Sequence, residues 1–91
     1  MSFEWDTEKA ASNFEKHGVN FAEATTVFAD LRALTKPDVD HSGFEPRYQT
    51  LGFSTQLRIL LVVTTERDDN VRIISARKAT SPERREYERY L

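Results

Sequence analysis

The chain has 91 residues, room for one domain, and its 38% hydrophobic and 11% aromatic content suits a folded globule rather than a disordered tail. It has no cysteine, which excludes a disulfide scaffold, a thiolate zinc site and a cysteine nucleophile. The net charge of −2 hides an asymmetry: residues 1–45 carry four Lys/Arg against nine Asp/Glu, and residues 46–91 carry nine against six. An acidic first half and a basic second half allow either a local basic face or a mixed, solvated surface. The opening Met1-Ser2-Phe3-Glu4-Trp5-Asp6 has no basic, then apolar, signal-peptide pattern, and Ile59–Val63 is too short an apolar run to span a bilayer. A soluble cytoplasmic protein is therefore expected.

Phe3-Glu4-Trp5 reads as a short edge strand. Asp6 then N-caps a helix that runs through His17 and stops at Gly18, which tolerates the left-handed conformation. Ala10, Ala11 and Phe14 form its apolar stripe, and Lys9, Asn13 and Lys16 a polar one, with His17 at the margin. Asn20 with Glu23 resembles a capping box for a second helix carrying Phe21, Ala24, Thr25 and Phe28 at i, i+3, i+4, i+7. Asp30 closes it.

A strand is predicted over Leu31–Thr35, then a loop over Lys36–Pro46, marked by Pro37, Gly43 and Pro46. Such a long loop points to function or a turn-forming stretch, and its Asp38-x-Asp40-His41 cluster is short of the ligands a metal cage needs. Three antiparallel strands follow, over Arg47–Phe53, Leu57–Thr65 and Val71–Arg77. The second is apolar on both faces and should be central. Ser81 as N-cap and Pro82 at N1 open a last helix, with Tyr87 and Leu91 as its apolar stripe and Arg84 and Glu88 paired at i, i+4. The order makes an α+β fold, two N-terminal helices and a C-terminal helix packed on one face of a twisted, mainly antiparallel sheet.

Phosphate loops, zincin motifs and nucleophile elbows are absent. What remains is basic: Arg47, Arg58, Arg72, Arg77, Lys78, Arg84, Arg85 and Arg89. Period-2 alternation puts Arg72 and Arg77 on opposite faces, unless a bulge intervenes, with Arg77 on the face of Val71, Ile73 and Ser75. A charge that continues an apolar face fits the mouth of a site, or else pairs with Glu83 or Glu86 to fix the last helix. An imidazole titrates near neutral pH and suits proton transfer, but His17, just before a C-cap glycine, equally serves the helix dipole.

The same residues carry a resemblance. Phe3-Glu4-Trp5-Asp6, Lys9, Asn13, Lys16-His17-Gly18-Val19, Phe21, Glu23-Ala24 and Val27-Phe28 are similar to the opening of the BrnT toxin family. Asp40-His41-Ser42 with Glu45 and Arg47 resembles its middle loop. Arg72-Ile73-Ile74-Ser75-Ala76-Arg77-Lys78-Ala79-Thr80, then Glu83-Arg84-Arg85 and Tyr87-Glu88, resembles its C-terminal signature. Thr64 departs from the pattern, standing where many members carry histidine.

The resemblance implies one RelE-like toxin domain over residues 1–91 and RNA cleavage that halts translation as half of a type II toxin–antitoxin pair. It implies neutralisation by a BrnA-type ribbon-helix-helix antitoxin, in a complex that represses its own operon, with DNA met only through that complex. A homodimer or a heterotetramer with the antitoxin fits such a system. The expected chemistry needs neither metal nor cofactor: the RNA 2′-OH attacks the adjacent phosphate through an anionic transition state. Arg77 and Arg58 are expected to stabilise it, with His17 as general base or acid. Lys9, Lys16, Arg47 and Lys78 would hold the RNA backbone, and Tyr87 would stack on a base. The competing readings are a non-catalytic nucleic-acid or partner-binding module and an inactive relative kept for operon control.

Overall fold

The structure is a computed structural model that describes residues 2–41 and 43–89. Its elements are β1 (Ser2–Glu4), α1 (Thr7–His17), α2 (Phe21–Thr26), β2 (Leu34–Pro37), β3 (Arg47–Phe53), β4 (Ile59–Arg67), β5 (Asn70–Lys78) and α3 (Ser81–Glu88). The five strands form one sheet in the order β1-β5-β4-β3-β2. Every neighbouring pair is antiparallel except β1 with β5. The α+β expectation holds, and β4, apolar on both faces, is the central strand.

Local chemistry sets the boundaries. Asp6 Oδ1 accepts from the backbone N–H groups of Glu8 and Lys9, and Gly18 ends α1 at φ 69°. Asn20 Oδ1 accepts from Glu23 N at 2.7 Å, but the Glu23 carboxylate does not turn back, so only half a capping box forms. Thr25 and Thr26 donate their hydroxyls to carbonyls three residues back, and the helix tightens into a 3₁₀ turn over Val27–Ala29. Asp30 then accepts from Arg32 N through its side chain and from Ala33 N through its carbonyl. That turn consumes the predicted start of β2, which begins at Leu34 and leaves Leu31 exposed. Leu57 sits at φ 63° in the β3–β4 turn, so β4 starts at Ile59. Thr80, not Ser81, caps α3, in a complete capping box with Glu83. Leu91 and Ser42 lie outside the described residues.

The helices divide between the two faces of the sheet rather than sharing one. Val19, Phe21, Ala24 and Val27 bury against Leu60, Val62, Ile73 and Ala76, with Trp5 edge-on to Phe21 at a centroid distance of 6.0 Å. Tyr87 of α3 packs on the other face with Leu51 and Leu61. β3 passes close to the helix layer at Gly52, where a Cβ would meet Val27 Cγ1 at 2.5 Å.

Two departures from pattern shape the strand edge beside α1. The β4–β5 register shifts between Val63 and Thr64, which pair with Ser75 and Ile73, so Ile74 is bulged out. The extra residue puts Ile73 and Ala76 together beneath the helices and puts Arg72, Ser75 and Arg77 together on the α3 face. Arg77 therefore does not share a face with Val71 and Ile73, as strict alternation predicts. The second departure is α1, which turns Asn13 inward, 7% exposed, and leaves Phe14 53% exposed. The cause is the edge of β5. β1 pairs only with Asn70–Arg72. Beyond it, the Asn13 amide accepts from Ala76 N and donates to the carbonyls of Ala76 and Val19, doing for that edge what a further strand would.

Candidate active site

Three arginines of the basic second half pair with glutamates of the acidic first half. Arg72 bonds Glu4 at 3.0 Å, Arg67 bonds Glu45 at 2.9 Å, and Arg58 grips Glu23. In the last of these pairs the Arg58 Nε and Nη2 both bond the Glu23 carboxylate, and Nη2 also reaches the Gly18 carbonyl. Ser54 Oγ donates to the same carboxylate at 2.7 Å. The Arg58 guanidinium holds Glu23 below the usual carboxylate range, against the opposing effect of burial.

Arg77 likewise makes a fork-to-fork pair with Glu83, at 2.8 and 3.0 Å, and donates to the Lys78 carbonyl. The pair ties β5 to the first turn of α3, so the helix-fixing reading of Arg77 describes its contacts. Arg77 drives the Glu83 carboxyl down to about 2 from its usual 4.5. A depressed carboxylate stabilises the fold above its unfolded value, and that stability is lost as pH falls from about 4.5 through about 2. At face value the shift is worth about 3 kcal/mol, and nearer 1–2 with Arg77 36% exposed. Glu83→Gln should therefore flatten the stability-against-pH curve in that window. Denaturant titrations from pH 5 to 2 check this, and parallel curves for the two proteins would refute it.

Tyr87 is 5% exposed, and its hydroxyl bonds Asp30 Oδ2 at 2.5 Å, beside the bond from Phe53 N. Burial first, then that bond, raises the phenol to about 12. Its ring has no open surface on which a base could stack, which removes the role expected for it. Arg47 stands half-buried on β3, with β4 between it and β5.

Lys9, Lys16 and His17 are different. Together with Ser12, they project from α1 over Ile74 and Ser75 of β5 and line a cleft of about 220 Å³. None of the three forms an ion pair among the described residues. The cleft opens where β5 lacks a neighbouring strand, and Arg77 lies two residues beyond Ser75 on the same face, about 7 Å along the strand. Ser12 and Ser75 join the site without a sequence-based expectation. Ser12 has a legible signal, since Lys9, Ser12 and Lys16 follow i, i+3, i+7; Ser75 depends on the bulge. Thr64 lies on the opposite face, 4% exposed, between Tyr48 and Ile73. Among the described residues no group of three or more His, Cys, Asp or Glu is placed to hold a metal. Asp38 instead bonds His41 Nδ1 at 3.1 Å within the loop. No described helix is long and apolar enough to cross a membrane.

A sequence model described as the ribonuclease toxin BrnT of type II toxin–antitoxin systems matches residues 5–83. The chain belongs to the BrnT family. No curated protein matches it. The crystal structure of the Brucella abortus ribonuclease toxin BrnT superposes with a TM-score of 0.70 at 26% identity, over 89% of this chain and 99% of that one. The family match starts at Trp5 and ends at Glu83, so it takes in the α1 cleft, the bulged strand and the Arg77–Glu83 clamp. A BrnT protein is the toxin of a type II toxin–antitoxin system, which makes an antitoxin its partner.

Proposed function

We propose that the α1–β5 cleft is the active site of a metal-independent endoribonuclease. The observation that carries this is the convergence of Lys9, Lys16 and His17 on one strand edge, with none of them in an ion pair among the described residues. Buried or partnered cations hold a fold together; unpartnered ones around a cleft attract phosphate. An imidazole nitrogen of His17 takes the proton from the RNA 2′-OH, whose oxygen attacks the adjacent phosphorus. The bond from phosphorus to the 5′ oxygen breaks, and a proton passes to that oxygen, leaving a 2′,3′-cyclic phosphate and a 5′-OH. Lys9 and Lys16 face the extra negative charge of the phosphorane. Arg77 flanks the cleft from the clamp with Glu83, and Arg47 guides the RNA backbone more remotely. Arg58 is assigned to the scaffold instead, because Glu23 occupies it.

Cleavage of this kind would stop translation in the cytoplasm until a BrnA-type ribbon-helix-helix antitoxin covers the toxin. The inactive-relative reading rests on Thr64, which sits under the helices, away from the cleft.

Purified, antitoxin-free protein incubated with RNA in EDTA should generate cyclic-phosphate ends. Lys9→Ala and Lys16→Ala should each slow this by about tenfold to a hundredfold, the worth of a charge-assisted bond to phosphate. Arg77→Ala is a less clean probe because it also frees α3. Loss of cleavage in EDTA, with recovery on adding a divalent cation, would overturn the metal-independent chemistry. Intact RNA throughout, with ribosomes also supplied, would favour the non-catalytic binding module.

A further inference from the structure

A second cavity, of about 280 Å³, lies at the far end of β5, where the β3–β4 turn meets the start of α3. Ile59 forms its floor, Phe53 and Leu57 its apolar rim, and Arg58, Lys78 and Arg84 its charged wall. Lys78 and Arg84 form no ion pair among the described residues, and Glu88, one turn from Arg84, does not meet it. Only Arg58 has a carboxylate, and that carboxylate is buried behind it. The wall is thus net positive in a chain whose total charge is −2. On the rim, Phe53 is 40% exposed and Leu57 77% exposed, the latter held at φ 63°. An aromatic ring left open beside unpaired cations is a poor way to finish a hairpin end and a good way to hold a nucleotide. The ring offers a stacking surface and the cations a phosphate seat.

Position supports the same occupant. Lys78 is three residues beyond Ser75, about 10 Å along one strand, with Arg77 between them. A single-stranded RNA leaving the cleft along β5 would reach this cavity within a nucleotide or two.

We propose that this cavity is a subsite for a nucleotide flanking the scissile bond, with its phosphate on Lys78 and Arg84 and its base against Phe53. The proposal rests on the RNA-cleaving reading of the α1–β5 cleft. The subsite gives the enzyme a grip on longer RNA that adds to binding and not to chemistry.

The test compares Phe53→Ala and Arg84→Ala with the parent protein on two RNAs: a dinucleotide that fills the cleft alone, and an oligomer of about eight nucleotides. With the oligomer, KM should rise about tenfold in each variant while kcat holds, as expected for one lost stacking or phosphate contact. With the dinucleotide, kcat/KM should not change. Arg84→Ala should also lower the salt slope for a non-cleavable 2′-deoxy oligomer by about 0.7, one phosphate's share on a single strand. If the parent cuts RNA and the variants match it on both substrates, the subsite is refuted while the active site stands. If both variants instead lose antitoxin capture with unchanged RNA kinetics, the cavity is a partner contact and the proposal falls. If the parent neither cuts nor binds RNA, the proposal falls together with the reading on which it rests.

Discussion

Glu23→Ala is expected to destabilise the protein by about 3 kcal/mol, a large share of the 5–15 kcal/mol that holds a typical domain folded. Glu23 is 3% exposed and sits where three elements meet. Its carboxylate receives Ser54 Oγ from the β3–β4 turn and two nitrogens of Arg58 from the residue just before β4, and its own backbone belongs to α2. Removing it strands a guanidinium and a hydroxyl together. Breaking a buried pair from one side costs about 3–5 kcal/mol. The lower end applies because the Arg58 side chain is 27% exposed and can turn toward water. A loss of that size should lower the melting temperature by roughly 12–24 °C in a domain of this length. Glu23→Ala combined with Arg58→Ala should recover part of it, since the double variant buries no unpaired charge. Thermal melts of the three variants against the parent measure both quantities. A single-variant loss below about 1 kcal/mol would show that the pair is screened as a surface bridge is.

That cluster also shows what a sequence can and cannot reveal here. Signals confined to a few residues read correctly: Asp6 and Gly18 bracket α1, and β3 spans Arg47–Phe53 as its pattern predicts. The double-sided apolar run of β4 places it at the centre of the sheet. Local reading fails where a distant partner decides. Glu23 and Arg58 are 35 residues apart, and nothing local says that the glutamate of an apparent capping box turns away to meet an arginine. Asn13 looks like part of a polar surface stripe until the missing length of β1 leaves Ala76 in need of two hydrogen bonds, 63 residues away. The Ile74 bulge shifts the phase of a strand by one, and every facing inference beyond it, Arg77 included, reverses. The charge asymmetry is real, but it does not make the second half an open basic face. Three glutamates of the first half pair with arginines of the second, and the lysines that line the cleft, Lys9 and Lys16, come from the acidic half.

His17→Ala is expected to slow RNA cleavage by about 10²–10⁴-fold, the usual worth of one positioned acid or base, and to abolish growth arrest in cells. The fold should tolerate the change. His17 is half-buried in the last turn of α1 and makes no ion pair among the described residues. A side chain in that position adds at most about 1 kcal/mol to the fold through the helix dipole, a few degrees of melting temperature. The Gly18 cap that ends the helix bonds the Phe14 carbonyl through its backbone and does not depend on the imidazole. A catalytic histidine and a helix-capping histidine therefore separate cleanly when rate and stability are measured on the same preparation. Proton transfer predicts that kcat falls while KM for RNA holds, because Lys9 and Lys16 still seat the phosphate. His17→Gln sharpens the comparison: it keeps a hydrogen-bonding side chain of similar reach but cannot exchange a proton near neutral pH, so it should be as slow as alanine. A glutamine variant that cuts at close to the parent rate would reduce His17 to positioning the RNA. A variant that melts far lower and cuts in proportion to its folded fraction would return it to the helix. Only a large loss of kcat in a protein that melts like its parent puts the imidazole at the reacting 2′-OH.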